Sequence, residues 1–531
     1  LKIKGLDQFH RIGTTLANSS LVTSFSLVHY QGTFMSRFSL LFALIAAAGA
    51  SHAADLQSAS QQLGAANTKT LEFSGNGKWF QFGQAPAPTL AWPQFDVSSY
   101  QASINYQTGS ARVKIVRKQT IEQGRNRPAP VEQRVDQNVD GNHAWNLAAS
   151  ANAAAGTAPV ASAQPASVEE RRAEIWATPQ GFLQAALAHN ATSTPEKGGV
   201  RVSFTVDGVY RYTGFINAKN EVENVKTWID NPVLGNTEVE SRYADYKDYG
   251  GVRFPSHIVR RQGGHPVLDI KVDDVKVNGA VDVKVPQNVV AFKAPEVKSS
   301  KLADGVFYLT GGSHHSVAIE QADHIVIVEA PLNEERSLAV IAKAKEIIPG
   351  KPIKYLVNTH AHFDHSGGLR AYVAEGATIV TDAANKSYYQ KVWAQPHSIN
   401  PDRLSAAKTS AKFETFKGKH VLSDGKRKIE LHSLAGNSHN DAFALVYLPA
   451  EKILIEADAY TPLAAGATAP VPANPYSVNL YDNIQEAETG RRADRWLAWG
   501  KGRDPGGFEE LYRPELTGLR CGLQKRQRPL A

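Results

Sequence analysis

Apolar and polar positions alternate along residues 199–290, in VRVSFTV, VYRYTGFIN, EVENVKTWI, VRFPSHIVRR and VLDIKVDDVKV. A period of two predicts an antiparallel meander with one wet face. Residues 69–118 add LEFSGNGKWFQFG and ASINYQTGSARVKIV, whose aromatic and β-branched residues between turn signals predict more strands. Between these stretches, VEERRAEIWATPQGFLQAALAHN reads as helix, broken near Pro179. Residues 147–168 are rich in Ala, Ser and Pro and predict a loop or mobile crossing segment. Residues 54–295 are therefore expected to form a β-rich domain, a curved antiparallel sheet with a helix against it.

The rhythm changes near residue 300. GVFYLTG and HIVIVEA read as strands, and NEERSLAVIAKAKEII as a helix, with Leu338, Ile341 and Ile348 at helical spacing and Pro349-Gly350 as its stop. IKYLV is a short buried strand, followed by helix GGLRAYVAE, strand ATIVT and helix NKSYYQKVWA. IELHSLA, AFALVYL and KILIEA are strand-like. Strands alternating with helices predict an α/β layer structure over residues 296–485.

The only methionine, Met35, opens MSRFSLLFALIAAAGASHAAD. One basic residue, an apolar run from Phe38 to Ala48 and small residues at Ser51 and Ala53 make the layout of a secretory signal peptide over residues 35–53. The apolar run is too short for a stable membrane span. Met35 is thus expected to be the true start, with residues 1–34 upstream sequence outside the natural product. The mature product is expected to be periplasmic or secreted.

Charge adds little. The formal net charge is +7, but residues 486–531 hold ten Lys/Arg against seven Asp/Glu and residues 1–34 three against one. With Arg37 set aside, residues 38–485 carry only about +1. That gives no case for nucleic acid. With Cys521 alone, no internal disulfide and no cysteine metal cluster can form.

The chemistry concentrates in VNTHAHFDHSGG, residues 357–368. His360, His362 and Asp364 lie two apart, so in an extended segment they share a face. His365 follows as the chain turns toward a helix. His439 in LAGNSHNDAFALVYL and Asp458 in ILIEADAYTP offer further ligands after strands. Nitrogen and oxygen donors without thiolate suit zinc first, with iron or manganese as alternatives. His314 and His315, in GGSHHSV, either line the site mouth or cap a turn, and His397 and His432 are read as surface or packing residues.

HAHFDH, GNSHND and IEADAY, in this order, resemble the signature of the metallo-β-lactamase superfamily, over about residues 300–485. The resemblance implies an αββα sandwich with its site at one edge of two sheets. It implies two divalent ions: His360, His362 and His439 on the first, Asp364 and His365 on the second, and Asp458 bridging. Water between the ions would then lose its proton readily and attack a carbonyl or phosphoryl centre, with Asp364 as the catalytic residue that orients it and passes its proton on. Penicillin-destroying branches usually lack the bridging aspartate, so Asp458 leans toward a small-molecule lactone, ester, thioester or phosphodiester. Two alternatives are iron-dependent sulfur oxidation on the same fold and a non-enzymatic periplasmic ligand-binding protein. The β-rich half carries no chemical motif and weakly resembles the open barrels of periplasmic lipoprotein carriers; a structural or substrate-gating role is expected of it.

One departure stands out. The family places a last histidine near the end of the chain, whereas residues 486–531 contain none and are rich in Arg and Gly. Codons exist for residues 486 onward from which the loss of one base yields an amphipathic helix, a strand and a His-Gly pair. A frameshifted tail is therefore expected.

Overall fold

The computed structural model describes residues 55–148, 158–407, 409–461 and 471–488. The signal-like segment and the tail from residue 489 lie outside the described residues.

The N-terminal half is one 13-stranded antiparallel sheet. From Val160–Ala163 at one edge, strands follow each other back through the sequence to Thr70–Phe80. That strand pairs with His265–Val277, and the meander runs back to Thr192–Glu196 at the other edge. Register shifts at Ser74/Gly75 and Gly75/Gly77 bend the central strand, as bulges do. Phe73, Tyr100, Phe254 and Ile270 bury one face against Ile175, Phe182 and Leu183 of the helices Val168–Ala177 and Pro179–Ala188. The break between these helices falls at Thr178, whose side chain accepts the Gly181 N–H while Pro179 opens the second helix.

Of the expected loop over residues 147–168, residues 149–157 lie outside the described residues; Val160–Ala163 corrects it by forming an edge strand on His143–Ala148, and the helix starts at Val168 as expected. Its alanines had argued for a loop, but small side chains suit this position: Ala161 packs with the buried Trp145 and Val289.

The second half is an αββα sandwich. The larger sheet runs in sequence order from Lys298–Ala303 to Lys412–Phe416, antiparallel through Ile325–Val328 and parallel from there through Ile353–Val357 and Thr378–Asp382. The smaller sheet holds Lys419–Ser423, Lys428–Ser433, Ala444–Leu448 and Ile453–Ile455, all antiparallel. Val317, Val326, Val328 and Val357 of the large sheet meet Leu431, Val446 and Ile455 of the small one in a dry core. Helix Glu334–Ile347, N-capped by Asn333 and carrying Glu334 and Glu335 in its first turn, covers the outside of the large sheet through Val340, Ile341 and Ala344. Helix Pro475–Glu488 covers the small sheet, laying Leu480 and Ile484 on Leu445 and Leu454.

Candidate metal centre

Strand Ile353–Val357 ends in the sandwich core, and the next residues carry the histidines. Asn358 is fully buried and stitches this turn. Its amide donates to the carbonyls of His360 (2.8 Å) and His365 (3.3 Å), and its oxygen accepts from Tyr389 Oη at 2.6 Å. The glycines that follow allow close approach: a Cβ on Gly367 would meet the Leu332 carbonyl, and one on Gly368 the Ser337 hydroxyl.

The expectation that His360, His362 and Asp364 share one extended face is half right. His362 is already the N-cap of a helical turn, Phe363–Ser366. Alternation therefore ends at His362, and Asp364 is carried to a different group. Ligand atoms of His360, His362, His439 and Asp458 lie within 4.8 Å of one another, and those of His314, Asp364 and His365 do likewise. Of the pair His314 and His315, His314 thus belongs to the second group. His397 and His432 are buried and join neither group.

In the first group His360 and His362 are each held on one ring nitrogen and bare on the other. Thr359 Oγ1 holds His360 Nδ1 at 2.9 Å, leaving Nε2 without a partner. His362 Nε2 donates to the Ala85 carbonyl at 3.0 Å, so its unpartnered Nδ1 bears a lone pair when the ring is neutral. His439 sits in a turn where Asn437 Oδ1 accepts its backbone N–H, and its Nε2 is unpartnered. His365 Nδ1 donates to Glu329 Oε2 at 2.6 Å, which leaves Nε2 bare.

Three of these bare nitrogens meet at one oxygen. Asp458 Oδ2 lies 3.1 Å from His439 Nε2, 3.2 Å from His365 Nε2 and 3.8 Å from His360 Nε2, with no hydrogen bond of good geometry. Glu456 shapes the turn that presents it, its carboxylate accepting the N–H groups of Ala459 and Tyr460. A lone pair facing this buried carboxylate repels it unless a proton or a cation stands between them. Burial, with neighbouring histidines adding, holds His360 and His362 well below the usual imidazole value, which is the neutral, ligating form. Burial opposes charge on His365 too, but Asp458 and Glu329 outweigh it and raise its pKa well above the usual value. Burial would raise Asp458, yet His365 and His439 outweigh it and hold the carboxyl well below the usual range. The donor set and its unpaired atoms fit a divalent cation bound by nitrogen and oxygen.

Three contributors escaped the sequence reading. Glu329 is buried with φ 71°, and its carboxylate takes both the Thr359 N–H (2.6 Å) and the His365 N–H. An acid closing the wholly apolar strand Ile325–Val328 was a usable signal. Asn358, a buried amide after another such strand, was a weaker one. The third is the turn after strand Thr70–Phe80 of the N-terminal sheet. Gln84 Nε2 donates to Asp364 Oδ1 (2.8 Å), Gly83 O accepts from Phe363 N, Ala85 O holds His362, and Pro86 O accepts from Asp441 N. Gln84 and Asp364 are 280 residues apart, and no local pattern signals that pairing. A second turn of the same sheet joins in, with Arg125 gripping both oxygens of Asp441.

Residues 309–459 match the model of the metallo-beta-lactamase superfamily, so the sandwich is a domain of that family. No curated protein matches the chain. Among solved structures, a metallo-beta-lactamase from Pontibacter korlensis aligns at 18% identity over 36% of this chain and 86% of its own, with a TM-score of 0.28. The mono-zinc form of FIM-1 from Pseudomonas aeruginosa gives 18%, 36%, 84% and 0.28. Rubredoxin oxygen:oxidoreductase from Desulfovibrio gigas gives 17%, 37%, 54% and 0.29.

Proposed function

We propose that the protein is an exported metal-dependent hydrolase of small-molecule esters, lactones, thioesters or related substrates. The observation that supports this most directly is the convergence of three imidazole nitrogens on Asp458 Oδ2. His360, His362 and His439 would hold a first ion, Asp364 and His365 a second, and Asp458 would lie between them. Zinc is the first candidate for both, given donors of nitrogen and oxygen only. Bound there, divalent ions lower the pKa of water and polarise the oxygen of an electrophile.

The chain's own groups do the rest. Glu329 and Ala85 fix which nitrogen of His365 and His362 faces inward. Gln84 orients Asp364, placing its carboxylate to take a proton from attacking water and pass it to a leaving group. The sheet half is the frame that carries Gln84 and Ala85. The location rests on the layout of residues 35–53.

The test starts from protein recovered from the periplasm, whose first residue is expected near Ala54. Elemental analysis should find bound zinc, and chromogenic esters should be hydrolysed. His362→Ala should lose most first-site metal and lower the rate at least a hundredfold, with its circular dichroism unchanged. Equal metal content in the two proteins would refute the ligand assignment.

A further inference from the structure

We infer that His314 is a ligand of the second cation position, joining Asp364, His365 and the shared Asp458. This deepens the hydrolase reading and rests on its two-ion site. His314 belongs to the turn between strands Val306–Thr310 and Ser316–Glu320, well before the motif that holds the other second-site ligands.

The geometry is that of a prepared ligand. His314 is 6% exposed. Its Nε2 stands 3.2 Å from Asp364 Oδ2, and its ring lies edge-on to His365 with centroids 5.1 Å apart. One ligand atom from each of His314, Asp364 and His365 falls within 4.8 Å of the others. The backbone is pinned, since the His314 carbonyl accepts from the buried Arg336 at 3.2 Å. His365 Nε2, in a residue 5% exposed, has no hydrogen-bond partner.

Ser313 makes the assignment chemically workable. Its hydroxyl lies 2.7 Å from His314 Nδ1, and a hydroxyl both donates and accepts. When Ser313 donates, His314 Nε2 carries the proton and bonds to Asp364. When Ser313 accepts from Nδ1–H, Nε2 is bare and free to ligate. A hydrogen-bonded partner of the ring nitrogen away from the ion is the usual support of a metal-bound imidazole. The same ring therefore satisfies Asp364 before loading and the ion after it.

The competing account is that His314 only orients Asp364 by a hydrogen bond. His314→Gln separates the two, because an amide N–H can reach Asp364 from nearly the same place yet is a poor ligand. The full chain is stripped with chelator and titrated with zinc alone, reading stoichiometry and affinity by calorimetry and elemental analysis. Unaltered protein should take up two ions. His314→Ala and His314→Gln should each keep the first ion at unchanged affinity and bind the second at least tenfold more weakly. Two ions bound by His314→Gln with affinities within twofold of the unaltered chain would overturn the assignment alone. A single ion in the unaltered chain would overturn the two-ion reading, and this assignment with it. Should either variant not fold, cobalt(II) titration of the unaltered chain decides. The second equivalent should bring hyperfine-shifted N–H resonances from two imidazoles, and only one would overturn the proposal.

Discussion

Glu329 shows how much one side chain carries. A non-glycine residue at φ 71° costs about 1–2 kcal/mol of backbone strain. The strain is offset by what the carboxylate then reaches, the Thr359 N–H on one oxygen and the His365 N–H on the other. Glu329→Gln would keep the first bond through its amide oxygen. Its NH2 would face His365 Nδ1, which must then accept, moving the ring proton to Nε2 where the ion should bind. Zinc affinity at the second position should fall about 10–100-fold, with the melting temperature little changed. Competition with a chromogenic chelator measures this, and an affinity within a factor of two would show that the tautomer is not set by Glu329.

The elements that matter most at the site come from both halves. The turn carrying Gly83, Gln84 and Ala85 lies flat on Phe363, and Gly83 has φ +75°. An added Cβ there would stand 2.6 Å from Phe363 Cγ, beside the residue that N-caps the ligand turn. Gly83→Ala should therefore cost backbone strain plus a displaced Phe363, about 2–3 kcal/mol, and also weaken zinc binding. Gly208→Ala, at φ +71° with nothing within 4 Å, should cost the strain alone and leave zinc affinity intact. Chemical denaturation and zinc titration of the pair decide this; equal effects on metal would detach the turn from the site. The same contrast explains what the sequence disclosed. The meander, the helix break at Pro179 and the strands of the sandwich follow from local periodicity and capping, which neighbouring residues write down together. His360, His362, His365, His439 and Asp458 were legible because a metal needs ligand types that packing does not. Asp364 groups with His365, as the resemblance implied, and only its shared face with His360 and His362 fails, since alternation cannot foresee that the chain starts a helical turn at Phe363. Gln84 and Ala85 were invisible, because their partners are set by how two sheets dock.

At the scale of the whole molecule, proton linkage pulls two ways. His397 lies in the seam between the halves, its ring against Gly235 and beside Arg370 and Asp402. Burial, helped by Arg370, pulls its pKa from 6.5 down to about 4. Between these values the unfolded chain binds the proton and the native one does not, so stability from this group falls as pH drops from 6.5 to 4. Asp402, which Arg370 and Ser405 hold low against the effect of burial, acts in the same sense at lower pH. Glu170 acts in the opposite sense. Burial, with Glu174 adding, lifts it from 4.5 to about 7, so its contribution is present below 4.5 and lost as pH rises through 7. On moving from pH 7 to pH 4.5, His397→Leu should lose less stability than the unaltered chain, and Glu170→Gln more. Urea midpoints at the two pH values test this, and parallel shifts in all three proteins would count against it. The docking of the two sheets has a consequence in time. Asn440 reaches the carbonyl of Ala85 across 355 residues of chain, and Asp458 lies further on still. A ribosome delivers the turn that waits for His362 long before it delivers His362, and the last ligand later again. The cluster that could hold a metal is thus among the last parts of this fold to be completed, so any ion it takes would be drawn from wherever the finished chain first folds, and not from where its synthesis begins.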